Sequence, residues 1–462
     1  MADIVLATLN ARYSHASLGL RYLRENLQEL RDRSEIIEFV IGARTESIAE
    51  TILARCPVVL GLGVYIWNVD ETTRLVAMLR RLAPDLRIII GGPEVSHECD
   101  EQAICRMADH VITGAAEGEF ATLVRQTLAW KAGLAHRPLT HLITGGSLAL
   151  DAIRMPYELY DDADIAQRNL YVEASRGCPY RCEFCLSALD RTAVPFPLAP
   201  LLGELERLHA RGARRLRFVD RTFNLRIDTS IAILQFFLDR IEASPNDPCF
   251  AHFELVPDHL PDRLRTLLPR FPSGTLQFEI GIQSWNPQVQ QLISRRQDND
   301  AAEQNLRWLR DHTNAHLHVD LIAGLPGETL RSFGDGFDRL VALRPHEIQV
   351  GILKRLRGAP ISRHTEAFDM RYNPNPPYNV LATRDIPFTD MQRLARFARY
   401  WDLIGNSGRF QTRLDALLGT QPFTRFLAFS DWLFERTDST WRFAPERLAS
   451  LVDHWLISSS EI

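Results

Sequence analysis

Apolar runs of strand length alternate with amphipathic stretches along the first 130 residues of the chain. The runs are short and almost continuously apolar, which is typical of strands covered on both faces of a parallel sheet. The pattern therefore predicts a doubly wound α/β unit. The predicted strands are residues 4–9, 36–41, 58–66, 86–90 and 110–113, and the predicted helices are residues 18–30, 70–82 and 120–130.

The alternation stops at residues 131–168, where glycines, a proline and acidic residues indicate a connector. It resumes with six strand–helix units in residues 169–355, which are too few for the usual eightfold barrel and predict a partial (β/α)6 barrel. The tail, residues 356–462, opens with prolines and becomes helical and rich in tryptophan. We expect a doubly wound domain in residues 1–130, followed by the connector, the barrel and a mainly helical C-terminal region. The predicted barrel strands are residues 170–174, 216–220, 250–255, 276–283, 316–323 and 347–353.

Composition narrows the class of protein only slightly. No apolar segment is long enough to suggest a membrane span, and the N-terminus lacks the pattern of a secretory signal, so the sequence predicts a cytoplasmic protein. All but two of the 53 basic residues are arginines, but they are spread along the chain and balanced by 58 acidic residues. Nucleic-acid binding is therefore not indicated.

Three of the seven cysteines are bunched in one segment, directly after the first predicted barrel strand. Cys178, Cys182 and Cys185 have the spacing Cys-x3-Cys-x2-Cys, which brings three thiolates onto one loop. Thiolates favour an iron–sulfur cluster or zinc. Structural zinc usually takes four ligands, and the next candidate, His209, lies beyond the start of a predicted helix. Three ligands on a four-iron cluster would leave one iron open, so we favour the cluster and keep zinc as the alternative.

The cysteine segment, residues 176–185, resembles the signature of radical S-adenosylmethionine (SAM) enzymes. The resemblance implies that the three cysteines hold a [4Fe–4S] cluster whose open iron binds the amino and carboxylate groups of SAM. It also implies that an electron from the cluster cleaves SAM to a 5′-deoxyadenosyl radical. Phe184 matches the aromatic position whose neighbourhood packs on adenine. The resemblance extends over about residues 169–355.

Three further segments match this family in the expected order. Residues 218–224 close the second barrel strand, residues 279–284 resemble the fourth-strand motif, and residues 320–329 resemble the fifth-strand motif near adenine. The resemblance implies that Asp220, Glu254, Gln283 and Gly324 bind the cofactor. Gly324 would let the backbone approach a nucleoside closely. Ordinary turn chemistry at strand ends is the alternative for each of these residues.

The N-terminal unit resembles the cobalamin-binding domain that precedes the barrel in one branch of the family. The resemblance is carried by residues 61–68, 91–94 and 117–119. A corrin needs a broad apolar platform and glycines that admit it to the strand ends. The residues implied to bind cobalamin are Tyr65, Gly91, Gly92, Glu117 and Gly118. The alternative is a doubly wound domain that holds no corrin.

Histidine ligation of cobalt is not expected. The chain lacks the Asp-x-His-x-x-Gly motif, and His15 lies in the corresponding loop without that spacing. His97, which follows a Gly-Gly-Pro turn, is expected to be a capping or solvent-facing residue.

Together the two resemblances imply a cobalamin-dependent radical SAM enzyme, and a C-methyltransferase in particular. In that scheme methylcobalamin delivers a methyl group to a substrate carbon, and a second SAM remethylates the cobalt. The alternatives are a radical rearrangement, ring-forming or redox reaction on the same architecture, and a cobalamin-binding regulatory protein. An electron donor such as a flavodoxin or ferredoxin is expected, while the substrate is unknown. Residues 401–410 resemble the C-terminal region of other members of this branch.

Overall fold

The computed structural model describes residues 2–146 and 148–459. Its N-terminal unit is a six-stranded, all-parallel sheet with the strand order β2-β1-β3-β4-β5-β6. The strands are β1 (Ile4–Asn10), β2 (Ser34–Val40), β3 (Val59–Gly63), β4 (Arg87–Gly91), β5 (His110–Thr113) and β6 (Leu142–Thr144). The helices are α1 (Leu18–Glu25), α2 (Thr45–Leu53), α3 (Val69–Leu82), α4 (Ala103–Met107) and α5 (Glu117–Lys131).

Helices cover both faces of this sheet, as the sequence predicts. Side chains of β1 alternate between the two faces: Val5, Ala7 and Leu9 join one apolar cluster, and Ile4 and Leu6 join the other. The chain passes from β1 to β2 on one side and to β3 on the other, so the strand order reverses between β1 and β3. Ligands of doubly wound sheets bind at the carboxyl ends of strands near this point.

Several details differ from the sequence predictions, which also lack helices α2 and α4. Helix α1 ends at Glu25, because the chain turns into a separate 3-10 segment at Gln28–Arg33. Strand β3 ends at Gly63, and the following residues form a turn in which the Asn68 side chain accepts a hydrogen bond from the Tyr65 backbone N–H. The segment 131–168 contributes β6, which pairs with β5, and a short helix, α6 (Asp162–Gln167).

The second unit is an open, six-stranded parallel barrel. Its strand order, β14-β13-β12-β11-β10-β7, follows the chain without reversal, which is the topology of a partial (β/α) barrel. The barrel strands are β7 (Leu170–Val172), β10 (Arg215–Phe218), β11 (Phe250–Leu255), β12 (Leu276–Gln283), β13 (His316–Ala323) and β14 (Glu347–Ile352), and a hairpin of β8 (Ser175–Arg176) and β9 (Val194–Pro195) follows β7. The helices are α7 (Leu198–Ala210), α8 (Ile227–Ala243), α9 (Asp262–Leu267), α10 (Pro287–Leu292), α11 (Asn299–His312) and α12 (Leu330–Leu343).

The C-terminal region is mainly helical and shares its apolar core with the barrel. Phe337 of α12 packs edge-on against Phe397 and Trp401, with ring centroids 4.9 and 4.8 Å away. The elements are β15 (Arg371–Tyr372), β16 (Val380–Ala382), α13 (Phe388–Ile404), α14 (Gln411–Leu418), α15 (Pro422–Thr437) and α16 (Pro445–Ser459). The predicted fold class, a doubly wound sheet, a partial barrel and a helical C-terminus, is confirmed.

Within the described residues, every helix is too short or too polar to cross a membrane.

Candidate active site

The three clustered cysteines lie on a loop whose base is the hairpin of β8 and β9. The backbone N–H of Cys178 donates to the carbonyl of Asp190 across 2.7 Å. Gly177 has a φ of +86°, and a Cβ at this position would stand 2.9 Å from the backbone nitrogen of Ala193. Only glycine fits there without strain. The hairpin therefore fixes the backbone at the first cysteine.

All three thiols line one cavity of about 200 Å³, called here the cysteine cavity. Two of the cysteines, Cys178 and Cys182, are only 8% exposed. No group of three His, Cys, Asp or Glu side chains in the described part of the chain converges enough to hold a single metal ion. The thiols instead surround a space that suits a larger group such as a cluster. The sequence-predicted residues that line the cavity are Cys178, Cys182, Cys185, Phe184, Glu254 and Gln283.

Gln283 offers an unused hydrogen-bond acceptor inside the cysteine cavity. It lies where β12 leaves register with β13, and its φ is +68°. The Oε1 atom of Gln283 is buried and has no hydrogen-bond partner among the described residues. A buried polar atom without a partner costs about 1–3 kcal/mol. The cavity is therefore fitted to a ligand that donates a hydrogen bond at this point.

Two arginines that the sequence analysis did not single out shape the electrostatics of the cysteine cavity. Burial raises the pKa of the Cys182 thiol, and Arg295, whose Nη1 lies 3.6 Å from the sulfur, opposes this rise. Burial raises the pKa of Glu254 to about 7, although Arg221 donates to its Oε1 across 2.6 Å and lowers the pKa. Arg295 therefore favours the thiolate form that a metal requires.

Asp220 does not line the cysteine cavity, and the cofactor role that the resemblance implies for it stays a prediction. Its Oδ2 accepts the backbone N–H of Ala174 across 2.9 Å, and its Oδ1 accepts the hydroxyl of Ser175 across 2.5 Å. Both carboxylate oxygens are thus occupied by the chain segment that leads into the cysteine loop. The structure assigns Asp220 to positioning that segment.

Gly324 also lies away from the residues that line the cysteine cavity. A Cβ at this position would stand 2.5 Å from Val380 Cγ1 and 3.0 Å from Met391 Cε. At a φ of +87°, this glycine permits a close approach of the C-terminal region to the strand end. The cofactor role that the resemblance implies for Gly324 stays a prediction, and its packing against Val380 and Met391 could not be read from the motif.

A second, larger cavity of about 440 Å³ opens at the carboxyl ends of the N-terminal strands, and it is called here the sheet-edge cavity. It lies where doubly wound folds bind ligands. The sequence-predicted residues that line it are Tyr65, Gly91, Gly92 and Glu117. Gly118 lines an adjoining cavity, because helix α5 begins at Glu117 and turns the next residue away.

Gly92 leaves the floor of the sheet-edge cavity without a side chain. Its φ is +118°, and a Cβ there would stand 2.4 Å from the carbonyl oxygen of Val64. A side chain at this position would push apart the ends of β3 and β4. Tyr65 lies beside this floor, and its ring stacks on Trp67 with the centroids 4.5 Å apart. The glycines and the Tyr65 ring give the apolar platform that a corrin requires.

The barrel contributes Glu173 and Arg176 to the lining of the sheet-edge cavity, and the sequence analysis missed both. Arg176 Nη2 lies 2.8 Å from Glu117 of the N-terminal unit, and its Nε lies 3.0 Å from Glu173. Burial raises the pKa of Glu173 to about 7, although Arg176 lowers it. Arg176 stands two residues before Cys178, so the sheet-edge cavity lies close to the cysteine loop. Its place at the start of the cysteine segment, residues 176–185, was the signal that the sequence offered.

The two histidines considered in the sequence have structural partners. His15 Nδ1 and the hydroxyl of Tyr171 share a hydrogen bond of 2.6 Å, which joins the N-terminal unit to the barrel. His97 is half-buried, and its ring packs on Gly358 of the C-terminal region.

Three family models match successive parts of the chain. The B12 binding domain matches residues 4–124, the Radical SAM superfamily matches residues 172–340, and a protein family of unknown function (DUF4080) matches residues 366–441. The chain therefore joins a B12-binding domain to a radical SAM domain, which is the architecture of a cobalamin-dependent radical SAM enzyme. The cofactors of these two domains are a [4Fe–4S] cluster, SAM and cobalamin.

Curated relatives support this class. The 2-(S-pantetheinyl)-carbapenam-3-carboxylate methyltransferase of Streptantibioticus cattleyicolor is 27% identical over 66% of this chain and 48% of its own length. The cobalamin-dependent radical SAM methyltransferase TokK of Streptomyces tokunonensis is 26% identical over the same shares, 66% and 48%. The chain thus spans about half the length of these two curated relatives.

Solved structures share the fold over nearly the whole chain. The radical SAM methyltransferase TsrM of Kitasatospora setae, solved with cobalamin and a [4Fe–4S] cluster bound, has a TM-score of 0.64 at 15% identity and covers 94% of this chain and 99% of its own. The cobalamin-dependent radical enzyme OxsB, with aqua-cobalamin bound, has a TM-score of 0.64 at 12% identity and covers 99% of this chain and 80% of its own.

Proposed function

We propose that this protein is a cobalamin-dependent radical SAM C-methyltransferase, which transfers a methyl group to a carbon atom of its substrate. The observation that carries the proposal is Arg176, which stands two residues before the first cluster cysteine and also lines the sheet-edge cavity. The two cofactor sites are therefore neighbours. Both curated relatives described above are named as methyltransferases, which supports methyl transfer in particular.

The residues of the cysteine cavity suit the groups that the proposal requires. Cys178, Cys182 and Cys185 would hold the cluster. Arg295 would offer a cation to the carboxylate of SAM, and the free Oε1 of Gln283 would accept a hydrogen bond from its amino group. When the cofactors are bound, the cluster would supply the electron that cleaves SAM to a 5′-deoxyadenosyl radical, and methylcobalamin would supply the methyl group.

The sheet-edge cavity suits cobalamin for different reasons. Its floor is formed by glycines, so backbone N–H and C=O groups are within reach of the amide side chains of a corrin. Helix α5 begins at the rim, at Glu117, and directs its first N–H groups toward this edge of the sheet. Arg176 neutralises two buried carboxylates, Glu117 of the N-terminal unit and Glu173 of the barrel. These residues bind and orient the corrin and exclude water from it.

We also propose a flavodoxin or a ferredoxin as the electron donor, because reductive cleavage of SAM consumes an electron that must come from outside the chain.

The first experiment is anaerobic reconstitution with iron, sulfide and hydroxocobalamin, followed by metal analysis. We expect about four irons per chain, together with one cobalt for each corrin site. Reaction with SAM that carries a deuterated methyl group then tests methyl transfer, because mass spectrometry of the extracted cobalamin and of small molecules follows the label. Transfer of the label to a carbon of a small molecule is the expected result. A product of unchanged mass would contradict methyl transfer and support a rearrangement.

Replacement of one cluster cysteine separates the two cofactor sites. Cys182→Ala removes a thiolate from the cysteine cavity, so we expect loss of the cluster and of 5′-deoxyadenosine formation. Cobalt content should stay at the wild-type level, because Cys182 does not line the sheet-edge cavity. Cys249→Ala is the matched control, since Cys249 is also buried but lies outside the loop. Full iron content in Cys182→Ala would show that the cluster is held elsewhere.

Iron without cobalt in the reconstituted wild-type protein would rule out methylcobalamin.

A further inference from the structure

A ten-residue segment that follows the barrel contacts both cofactor domains. This segment, residues 355–364, is called here the strap; it begins three residues after β14 ends at Ile352. Its first half lies against the B12-binding domain, and its second half lies against the cysteine loop. Neither the B12-binding model, residues 4–124, nor the radical SAM model, residues 172–340, includes it.

The first half of the strap is joined to the B12-binding domain by ion pairs. Arg357 Nε donates to Glu94 Oε1 across 3.0 Å, and its Nη1 donates to Glu98 Oε2 across 2.8 Å. Arg355 Nη2 donates to Glu98 Oε1 across 2.9 Å. The Glu94 side chain is only 3% exposed, so this contact is largely shielded from solvent. Glu94 follows Gly92 by two residues, which places the contact next to the floor of the sheet-edge cavity.

The middle of the strap packs tightly against the B12-binding domain. Gly358 has a φ of +80°, and a Cβ there would stand 2.3 Å from Cγ of His97. The strap backbone therefore lies directly on the imidazole ring of His97. A methyl group at position 358 would push the strap away from this ring.

The second half of the strap binds Glu183, which lies between Cys182 and Cys185 in the chain. The backbone N–H of Ile361 donates to the carbonyl of Glu183 across 2.9 Å. The Glu183 carboxylate accepts from His364 Nε2 across 2.9 Å and lies 2.5 Å from Arg363 Nη2. Glu183 directly follows Cys182, and it is only 3% exposed. Both the backbone and the side chain of the cysteine loop are thus fixed by the strap.

We propose that the strap is a positioning element that sets the separation between the corrin and the cluster. This inference rests on the proposed function, because the separation matters only when both cofactors are used in one reaction. Each end of the strap binds a residue that is close in the chain to a cofactor site: Glu94 is two residues after Gly92, and Glu183 directly follows Cys182. Reacting groups tolerate little displacement, and an error of about 1 Å can cost 10²-fold in rate. The strap residues are positioning residues and do not touch the reacting atoms.

The test measures the separation itself in the reconstituted full-length protein. The double variant Arg355→Gln/Arg357→Gln removes the ion pairs at the B12-binding domain and leaves the cysteines unchanged. Pulsed electron paramagnetic resonance between the reduced cluster and cob(II)alamin gives the distribution of cluster–cobalt distances. We expect this distribution to broaden roughly twofold while iron and cobalt contents stay at wild-type values. Arg371→Gln is the matched control, because exposed Arg371 pairs with exposed Asp369 of the C-terminal region.

A milder single variant keeps the test valid if the double variant misfolds. Glu98→Gln alters the same contact from the side of the B12-binding domain, and the Glu98 side chain is 23% exposed. Broadening in Glu98→Gln, with both metals retained, would support the strap. A wild-type distance distribution in both variants, at full iron and cobalt, would overturn the strap alone. A wild-type protein that binds iron but no cobalt would overturn the proposed function and the strap together.

Discussion

Asp220 holds the chain segment that leads into the cysteine loop, and its two carboxylate oxygens are occupied by the backbone of Ala174 and the hydroxyl of Ser175. Burial raises the pKa of Asp220, so the ionised form depends on these hydrogen bonds. A residue at a strand end of a barrel can thus support a cofactor site without entering it. Substitution of a single residue such as Asp220 tests this supporting role directly.

Asp220→Ala would leave two donors unpaired directly before the cysteine loop. We expect each buried, unpaired group to cost about 1–3 kcal/mol of unfolding free energy. Urea unfolding should therefore show a less stable apoprotein, and metal analysis should show reduced iron at normal cobalt. Asp228→Ala is the control, because exposed Asp228 pairs with exposed Arg263 and such pairs contribute at most about 1 kcal/mol. Reduced iron without any loss of apoprotein stability would indicate a ligand role instead.

Gly92→Ala tests the platform of the sheet-edge cavity. The new Cβ would meet the Val64 carbonyl at 2.4 Å, so the strand ends must separate and cobalamin retention should fall. Gly42→Ala introduces a methyl group at a similar φ, +85°, with no atom within 4 Å. The Gly42→Ala variant therefore measures the effect of backbone strain without a steric clash. Equal cobalt content in the two variants would contradict the platform assignment.

Residues with a local signature could be predicted, and residues defined by a partner from another domain could not. The cysteines and Gly92 lie in short motifs whose spacing carries the chemistry. Glu173 and Arg176 line the sheet-edge cavity only because the barrel docks on the B12-binding domain. No pattern within either segment encodes that docking.

At the scale of elements, strand prediction was best where apolar positions were dense. The bounds of β11, β12 and β13 match the predicted ranges, because these strands lie in the middle of the barrel sheet. Strand β6 was missed, since two of its three residues are exposed and none is fully buried, so it leaves no apolar signal. It is held by backbone pairing with β5 at the sheet edge.

An ion-pair network joins two neighbouring barrel strands, β13 and β14. Burial lowers the pKa of His318, but the carboxylates of Asp320 and Glu347 outweigh this effect and raise it to about 10. The stabilisation from the charged imidazole is complete below the unfolded pKa, about 6.5, and is lost as pH rises through about 10.

We expect the difference in unfolding free energy between wild type and His318→Gln to shrink steadily from pH 6.5 to pH 10, values that bracket the ordinary and the raised pKa. Urea titrations at several pH values measure it. The control is His312→Gln, because exposed His312 bonds only to a carbonyl of its own helix. A difference for His318→Gln that stays constant over this range would show that the imidazole is not charged in the folded protein.

On the scale of the whole molecule, the two cofactor domains are joined at several separate points. Arg176 pairs with Glu117 across the domain boundary, and His15 bonds to Tyr171. The strap forms a further contact from the C-terminal side. Domain docking of this kind is expected to make the two units unfold together.

Arg176→Gln would leave two buried carboxylates without their cation. Removal of one partner from a buried ion pair typically costs about 3–5 kcal/mol. Calorimetry should therefore show a lower transition temperature and a separate transition for the B12-binding domain. Arg263→Gln, at an exposed pair with Asp228, is the control and should leave the transition unchanged. A single, unshifted transition in Arg176→Gln would show that Arg176 does not couple the domains.

The place of the strap along the chain also orders events during protein synthesis. Glu94, Glu98 and Glu183 leave the ribosome long before residues 355–364 do. Because domains fold as units while the chain is made, a nascent chain that ends at β14 can form the contacts of Arg176 with Glu117 and of His15 with Tyr171, but it lacks the contacts of the strap. We expect the final spacing of the two cofactor sites to be set late in translation. A ribosome that stalls shortly after β14 would therefore release a protein able to take up both cofactors but not to hold them in register.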